Sequence, residues 1–161
     1  MDIPRYSHCH SSLPNALCEA ARSILEEAGP DEVCLREVAS RAGVSPAAAF
    51  RYFTNNDDLL ASVAAEGFRE LAAAMETGVT ESNPLRGVGL AYFDFALQKR
   101  GLFRLMFGPF LDRRAKYPAL NEAAGAVFDL IQRLAVSADE SSREDNAAAI
   151  AARGRVMAYL S

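Results

Sequence analysis

The sequence predicts an all-α fold: an N-terminal three-helix helix-turn-helix domain, joined by a long fourth helix to a C-terminal helical domain. Three observations lead there. Apolar residues recur every three to four positions in most segments, the period of a half-buried helix. No segment shows the two-residue alternation of a strand, and no internal repeat is present. Gly and Pro fall between the periodic stretches, where helices start and stop.

Taken in order, Met1 to Ser12 has no apolar period and reads as a loose arm. Leu13 to Ala28 places Leu17, Ala21, Ile24, Leu25 and Ala28 on one helical face, and Gly29-Pro30 ends it. Leu35 to Ala42 is a short helix with Val38, Ala39 and Ala42 apolar. Gly43 stands where the chain needs a positive φ, which Gly adopts at little cost. Ser45 is a good N-cap and Pro46 suits the first helical position, so a second short helix runs from Pro46 to Phe53. Its outward residues are Pro46, Ala47, Ala48 and Arg51; Ala49, Phe50 and Phe53 are available for packing. Asn55 or Asn56 caps the next helix, which runs to about Glu76 on Leu60, Val63, Ala64, Phe68, Leu71 and Met75. Asp57 and Asp58 suit its positive N-terminal end. Thr77 to Asn83 is a polar linker, and Pro84 opens a helix through about Arg100. Gly101 punctuates before the short helix LFRLMF, and Asp112 to Lys116 is a charged loop. Pro118 to about Ala138 carries the stripe Leu120, Ala124, Val127, Leu130, Ile131 and Leu134, and Glu144 to Leu160 is a final Ala-rich helix.

Composition narrows the function classes. The chain has 161 residues, half of them apolar, which is enough for a real core. No apolar run reaches the roughly 18 residues of a membrane span, and no basic stretch precedes an apolar one at the N-terminus, so a cytoplasmic protein is expected. Cys9, Cys18 and Cys34 have no zinc-like spacing and suit a reducing compartment. His8, Cys9 and His10 lack further ligands nearby except Cys18, so no metal and no cofactor is expected. Those two histidines are the only ones, and no nucleophile with a base in reach, phosphate loop or dinucleotide motif appears; an enzyme is not expected. The net charge is −4, and all of it lies in residues 1–60, where Arg5, Arg22, Arg36, Arg41 and Arg51 face nine acidic residues.

The stretch LREVASRAGVSPAAAFRYF, Leu35 to Phe53, followed by NNDDLL, resembles the DNA-binding domain of TetR-family transcriptional regulators. The leading helix LPNALCEAARSILEEAG fits that domain too, and the resemblance runs from about Leu13 to about Met75. It implies that the second short helix enters the major groove of an operator duplex, with Arg36, Ser45, Pro46, Ala47, Ala48, Phe50, Arg51, Tyr52 and Asn56 as the DNA-side residues. Small apolar residues can touch a thymine methyl, Arg51 can reach a guanine or a phosphate, and Tyr52 resembles the family tyrosine near the backbone. Three positions depart from the family pattern. Cys34 stands where Thr or Ser usually caps the helix, although Glu37 three residues on would complete a capping box. Phe50 stands where a Tyr is common, and Asn56 where a Lys is common. Together they imply weaker electrostatic binding and a shallower salt slope.

The second half is aromatic. Tyr92, Phe93, Phe95, Phe103, Met106, Phe107, Phe110 and Phe128 are candidate lining of an apolar pocket, and the same spacing suits ordinary core. FALQKRGLFRLMFG resembles the ligand-binding domain of a TetR subgroup named for a Trp-His-Gly motif; this chain has no Trp and reads RGRVMA at Arg153 to Ala158. The resemblance implies a helical regulatory domain, a small-molecule effector and a homodimer formed through the last helices. The expected division is residues 13–56 for DNA binding and 57–161 for ligand binding and dimerisation, with 57–76 as the connecting helix. The expected function is a ligand-responsive regulator, a repressor released by a small apolar effector. The alternative is a helical binding or interaction protein of the same fold that has lost strong DNA affinity.

Overall fold

The structure, a computed structural model, describes residues 12–79 and 84–139. Among them the helices are α1 (Ser12–Ala28), α2 (Leu35–Arg41), α3 (Pro46–Phe50), α4 (Asn56–Gly78), α5 (Pro84–Gln98), α6 (Arg100–Phe107) and α7 (Pro118–Asp139). Short 3-10 turns lie at Pro30–Glu32 and Pro109–Lys116, and no strand occurs among the described residues. The arm that carries His8, Cys9 and His10, the centre of the polar linker and the final Ala-rich helix lie outside the described residues.

Helix α4 organises the molecule. Ten of its residues are buried, from Leu59 to Met75, and it packs against α1, α5, α6 and α7. The apolar stripe expected on it is buried at every position. On α1, Leu17, Ala21, Ile24 and Leu25 are buried as expected, whereas Ala28 at the end of the helix is exposed. Buried side chains from α1 through α7 form one continuous cluster, so the two halves share a core.

Two boundaries differ from expectation for a physical reason. The second short helix ends at Phe50 instead of Phe53: Arg51 and Tyr52 donate to the carbonyls of Ala48 and Ala49 in a tighter turn. Gly101 does not separate two helices but lies inside the first turn of α6. A Cβ there would stand 2.0 Å from the Leu25 carbonyl oxygen, so Gly allows the start of α6 to rest directly on the end of α1.

Candidate nucleic-acid interface and effector core

The turn between α2 and α3 is built by local rules. Gly43 has φ 69°, its N–H donates to Ser40 O, and the Val44 N–H donates to Ala39 O. This pair of bonds is the Schellman ending and satisfies carbonyls that α2 would otherwise leave open. Ser45 then caps α3, its Oγ accepting from Ala48 N at 3.2 Å. Buried Ala49 and Phe53 anchor the segment to the core.

On the other side of α3, Ser45, Pro46, Ala47, Phe50, Arg51 and Tyr52 are exposed, and Ala48 is half-buried. Phe50 is 46% exposed, an unusual place for a large apolar ring, so it belongs to this outer face and not to the core. Arg36 and Arg51 are exposed and carry no ion pair among the described residues. Arg41 is different: it binds Glu27 at 2.7 Å and Glu37 at 3.3 Å, so its charge is spent on α1 and α2.

Cys34 makes no side-chain cap for α2, as its thiol predicts. The open N–H of Leu35 is taken instead by Asn56 Oδ1 at 2.9 Å. Asn56, an exposed residue, thus ties the start of α2 to the start of α4 with its oxygen. Asn55 is the cap of α4, accepting from Asp58 N, while Asp58 accepts from Thr54 N.

Two polar links join this module to the second half. The Glu26 carboxylate accepts from Gly101 N at 2.9 Å and Leu102 N at 3.0 Å, capping α6 from α1. Arg22 pairs with Glu66 and Glu70, and Glu70 also pairs with Lys99. Burial opposes the charged form of Glu70, but hydrogen bonds and charges from Arg22 and Lys99 outweigh it and hold its carboxyl below the ordinary range. A depressed carboxylate contributes stability that is present above its unfolded pKa, about 4.3, and is lost as pH falls through the folded value. Glu70→Gln is therefore expected to lower the melting temperature at pH 6 and flatten its fall between pH 5 and 3, followed by circular dichroism. An unchanged acid limb would remove the triad from the stability account.

In the second half, Tyr92, Phe103 and Phe107 meet edge-on or tilted at 4.5–5.8 Å. Phe68 of α4 joins them, 5.2 Å from Phe107 and 6.5 Å from Phe128, and was not among the residues expected there. Its place in the regular α4 stripe marks it only as core. Phe93 touches Tyr92, and Met106 is fully buried against α4, where a Cβ on Gly67 would meet its sulfur. Phe95 and Phe110 make their ring contacts elsewhere, with Lys99 and with Tyr117 and Arg113. Tyr92, Phe93, Phe107 and Phe128 are only half-buried.

Among the described residues, no group of His, Cys, Asp or Glu is arranged to hold a metal, and no helix is long and apolar enough to cross a membrane. The architecture defines a helix-turn-helix protein with a second helical domain. Residues 17–63 match the model of bacterial regulatory proteins of the tetR family, and residues 85–159 match the tetracyclin repressor-like C-terminal domain. The chain belongs to the TetR family and is a DNA-binding transcriptional regulator; members of that family are transcription factors, not enzymes. Among solved structures, it is 31% identical to a protein of unknown function from a Rhodococcus species, over 96% of this chain and 84% of that one, with a TM-score of 0.72. It is 22% identical to the TetR-family regulator PfmR from Thermus thermophilus, over 86% and 79% of the two chains, with a TM-score of 0.60. The multidrug binding protein EbrR, solved with imidazole, is 21% identical over 98% and 84%, with a TM-score of 0.57. No curated protein matches.

Proposed function

We propose that this chain is a ligand-responsive repressor acting as a cytoplasmic homodimer, and that a small apolar effector releases it from its operator. The observation that carries the reading is the outer face of α3. Pro46, Ala47, Phe50, Arg51 and Tyr52 stand exposed on a segment whose inner residues, Ala49 and Phe53, are locked in the core. A rigid short helix that offers apolar contacts and one free guanidinium suits a major groove, where thymine methyls and guanine edges are read. Arg36, Ser45, Ala48 and Asn56 flank it and complete the DNA side.

The division at residues 13–56 and 57–161 follows the same reading, with α4 as the connection. The effector pocket is placed at the half-buried rings of Tyr92, Phe93, Phe107 and Phe128, backed by Phe103 and Met106, with Phe95 and Phe110 at its margins. EbrR, a neighbour in fold described as a multidrug binding protein, supports a small-molecule ligand here. Two recognition helices in a dimer sit about 34 Å apart to match one turn of DNA. An effector that prefers another packing of α6 against α4 shifts that spacing through α4 and through the Glu26 cap, and so lowers affinity.

Mobility shift with the DNA upstream of the chain's own gene tests this reading. Binding at low salt that weakens at higher salt is expected, and no shift at low salt would favour a helical binding protein without DNA affinity. Arg51→Ala is expected to weaken operator binding about 5- to 150-fold, since a guanidinium contact to a base typically contributes about 1–3 kcal/mol. Wild-type affinity in that variant would take Arg51 off the contact surface.

A further inference from the structure

We propose that Arg113, Arg114 and Lys116, in the connection between α6 and α7, form a second contact surface for the phosphate backbone of DNA. The proposal rests on the DNA-binding reading above and extends the interface into the second domain. Its starting point is a shortage of charge. Residues 1–60 carry an excess of four acidic groups. Of the arginines described there, Arg22 and Arg41 are engaged by glutamates, so only Arg36 and Arg51 keep unpaired charge. Phosphate contacts supply most of the sequence-independent affinity for DNA, so two unpaired cations among the described residues of this half are a thin supply.

The fold brings two more unpaired cations, Arg114 and Lys116, to the same place on a segment that Arg113 anchors. The Arg113 guanidinium binds Asp57 Oδ2 at 2.7 Å, in the first turn of α4. That turn lies five residues after Tyr52, and the Asn55 and Asp58 bonds hold the chain between them in a fixed bend. The basic segment therefore docks beside the exit of the recognition segment. It is held there by rings: Arg113 lies over Phe110 at 5.9 Å, and Phe110 stacks on buried Tyr117 at 6.2 Å. Arg113, Arg114 and Lys116 are all exposed. Arg114 has only a long bond to the Leu111 carbonyl, at 3.5 Å, and neither Arg114 nor Lys116 is in an ion pair among the described residues. Asp57, Asp58 and Asp112 lie beside the three cations, so what the patch offers a phosphate is the two exposed side chains without an ion pair, Arg114 and Lys116, at the end of α4 nearest the groove-reading helix. Charges within a screening length of about 8–10 Å of a phosphate still act on it.

The same placement gives the patch a regulatory consequence. It belongs to the chain between α6 and α7, so an effector that shifts α6 moves phosphate-binding charge directly, in addition to moving α4.

The test compares salt slopes. Arg114→Ala/Lys116→Ala removes two charges that hold no ion pair, and Arg69→Ala/Arg133→Ala removes the same charge from exposed positions on α4 and α7. Both are titrated by fluorescence anisotropy, from roughly 50 to 300 mM salt, onto a duplex selected from a randomised pool and onto an unrelated duplex of equal length. The expected result is a slope shallower by about one for each lost cation that contacts phosphate, equal on both duplexes, and seen only in the first variant. An unchanged slope, or the same change in the Arg69/Arg133 control, would overturn the proposal while leaving the regulator reading intact. A wild-type chain that binds neither duplex at low salt would overturn both.

Discussion

Phe68→Ala is expected to cost the protein about 3–5 kcal/mol of stability, the usual range for deleting a fully buried aromatic ring. Phe68 has no exposed surface and sits at the meeting point of three elements. Its ring contacts Phe107 of α6 edge-on and Phe128 of α7 at a tilt, from a helix that also packs on α1. The neighbours cannot close the gap easily, because Gly67 already lets Met106 press against the α4 backbone on the adjacent face. For a chain of this length the loss corresponds to a fall in melting temperature on the order of 10 °C. Urea unfolding followed by far-ultraviolet circular dichroism measures it, with Leu90→Ala, an exposed residue of α5, as the reference of negligible effect. A Phe68→Ala loss below about 1 kcal/mol would mean that the neighbouring rings collapse into the vacated space, and that the aromatic group is adaptable and not a rigidly packed core.

Phe68 also shows where sequence stops being informative. The helix-turn-helix is legible because each of its signals acts over a few residues. Gly43 requires a positive φ, Ser45 reaches the amide three residues on, and Pro46 needs no N–H partner. The burial of Ala49 and Phe53 and the exposure of Arg51 follow from helical phase. Phe50 follows exposed Pro46 and Ala47 by four and three residues, so helical phase puts it on the outer face with them; only its apolar type suggests packing. Interactions across the chain are another matter. The missing cap at Cys34 is visible in its residue type, but its replacement by Asn56 comes from 21 residues away. Arg41 is one of the arginines of the acidic N-terminal half, and its pairing with Glu27, 14 residues earlier, has no local signature. Phe68 has the spacing of an ordinary core residue, and nothing local distinguishes it from Leu71 or Met75. The basic run at Arg113 to Lys116 reads as a solvated loop, and its docking on Asp57 across 56 residues is invisible to any local rule.

Gly101→Ala is expected to be among the most damaging single-methyl additions in the described chain. Glycine in this sequence serves two purposes, turn formation and close approach, and the letter does not say which applies. At Gly101 it is close approach. An added Cβ would stand 2.0 Å from the Leu25 oxygen, 2.3 Å from its carbonyl carbon and 2.7 Å from Glu26 N. These are backbone atoms at the end of α1, so no rotamer change relieves the overlap. Helix α6 must lift by about 1 Å or more to restore ordinary contact. That movement breaks the two bonds from Gly101 N and Leu102 N to the Glu26 carboxylate and loosens buried Leu102 and Phe103. Alanine's better helix propensity returns at most about 1 kcal/mol. Overpacking and the lost charge-assisted bonds together cost more, so a net loss of about 3 kcal/mol is expected. Glu26→Gln keeps one acceptor at the same place but sets an amide NH2 against the other N–H, so it loses one bond and the charge assistance; it leaves α6 seated on α1, and its loss is expected to be smaller. Thermal unfolding of both variants tests the order. If Gly101→Ala is as stable as wild type, or less damaging than Glu26→Gln, then α6 does not rest on α1 in this way. The same pair separates stability from signalling. A Glu26→Gln protein that still binds its operator but no longer responds to effector would place the coupling at the α6 cap. One that responds normally would leave α4 as the sole carrier.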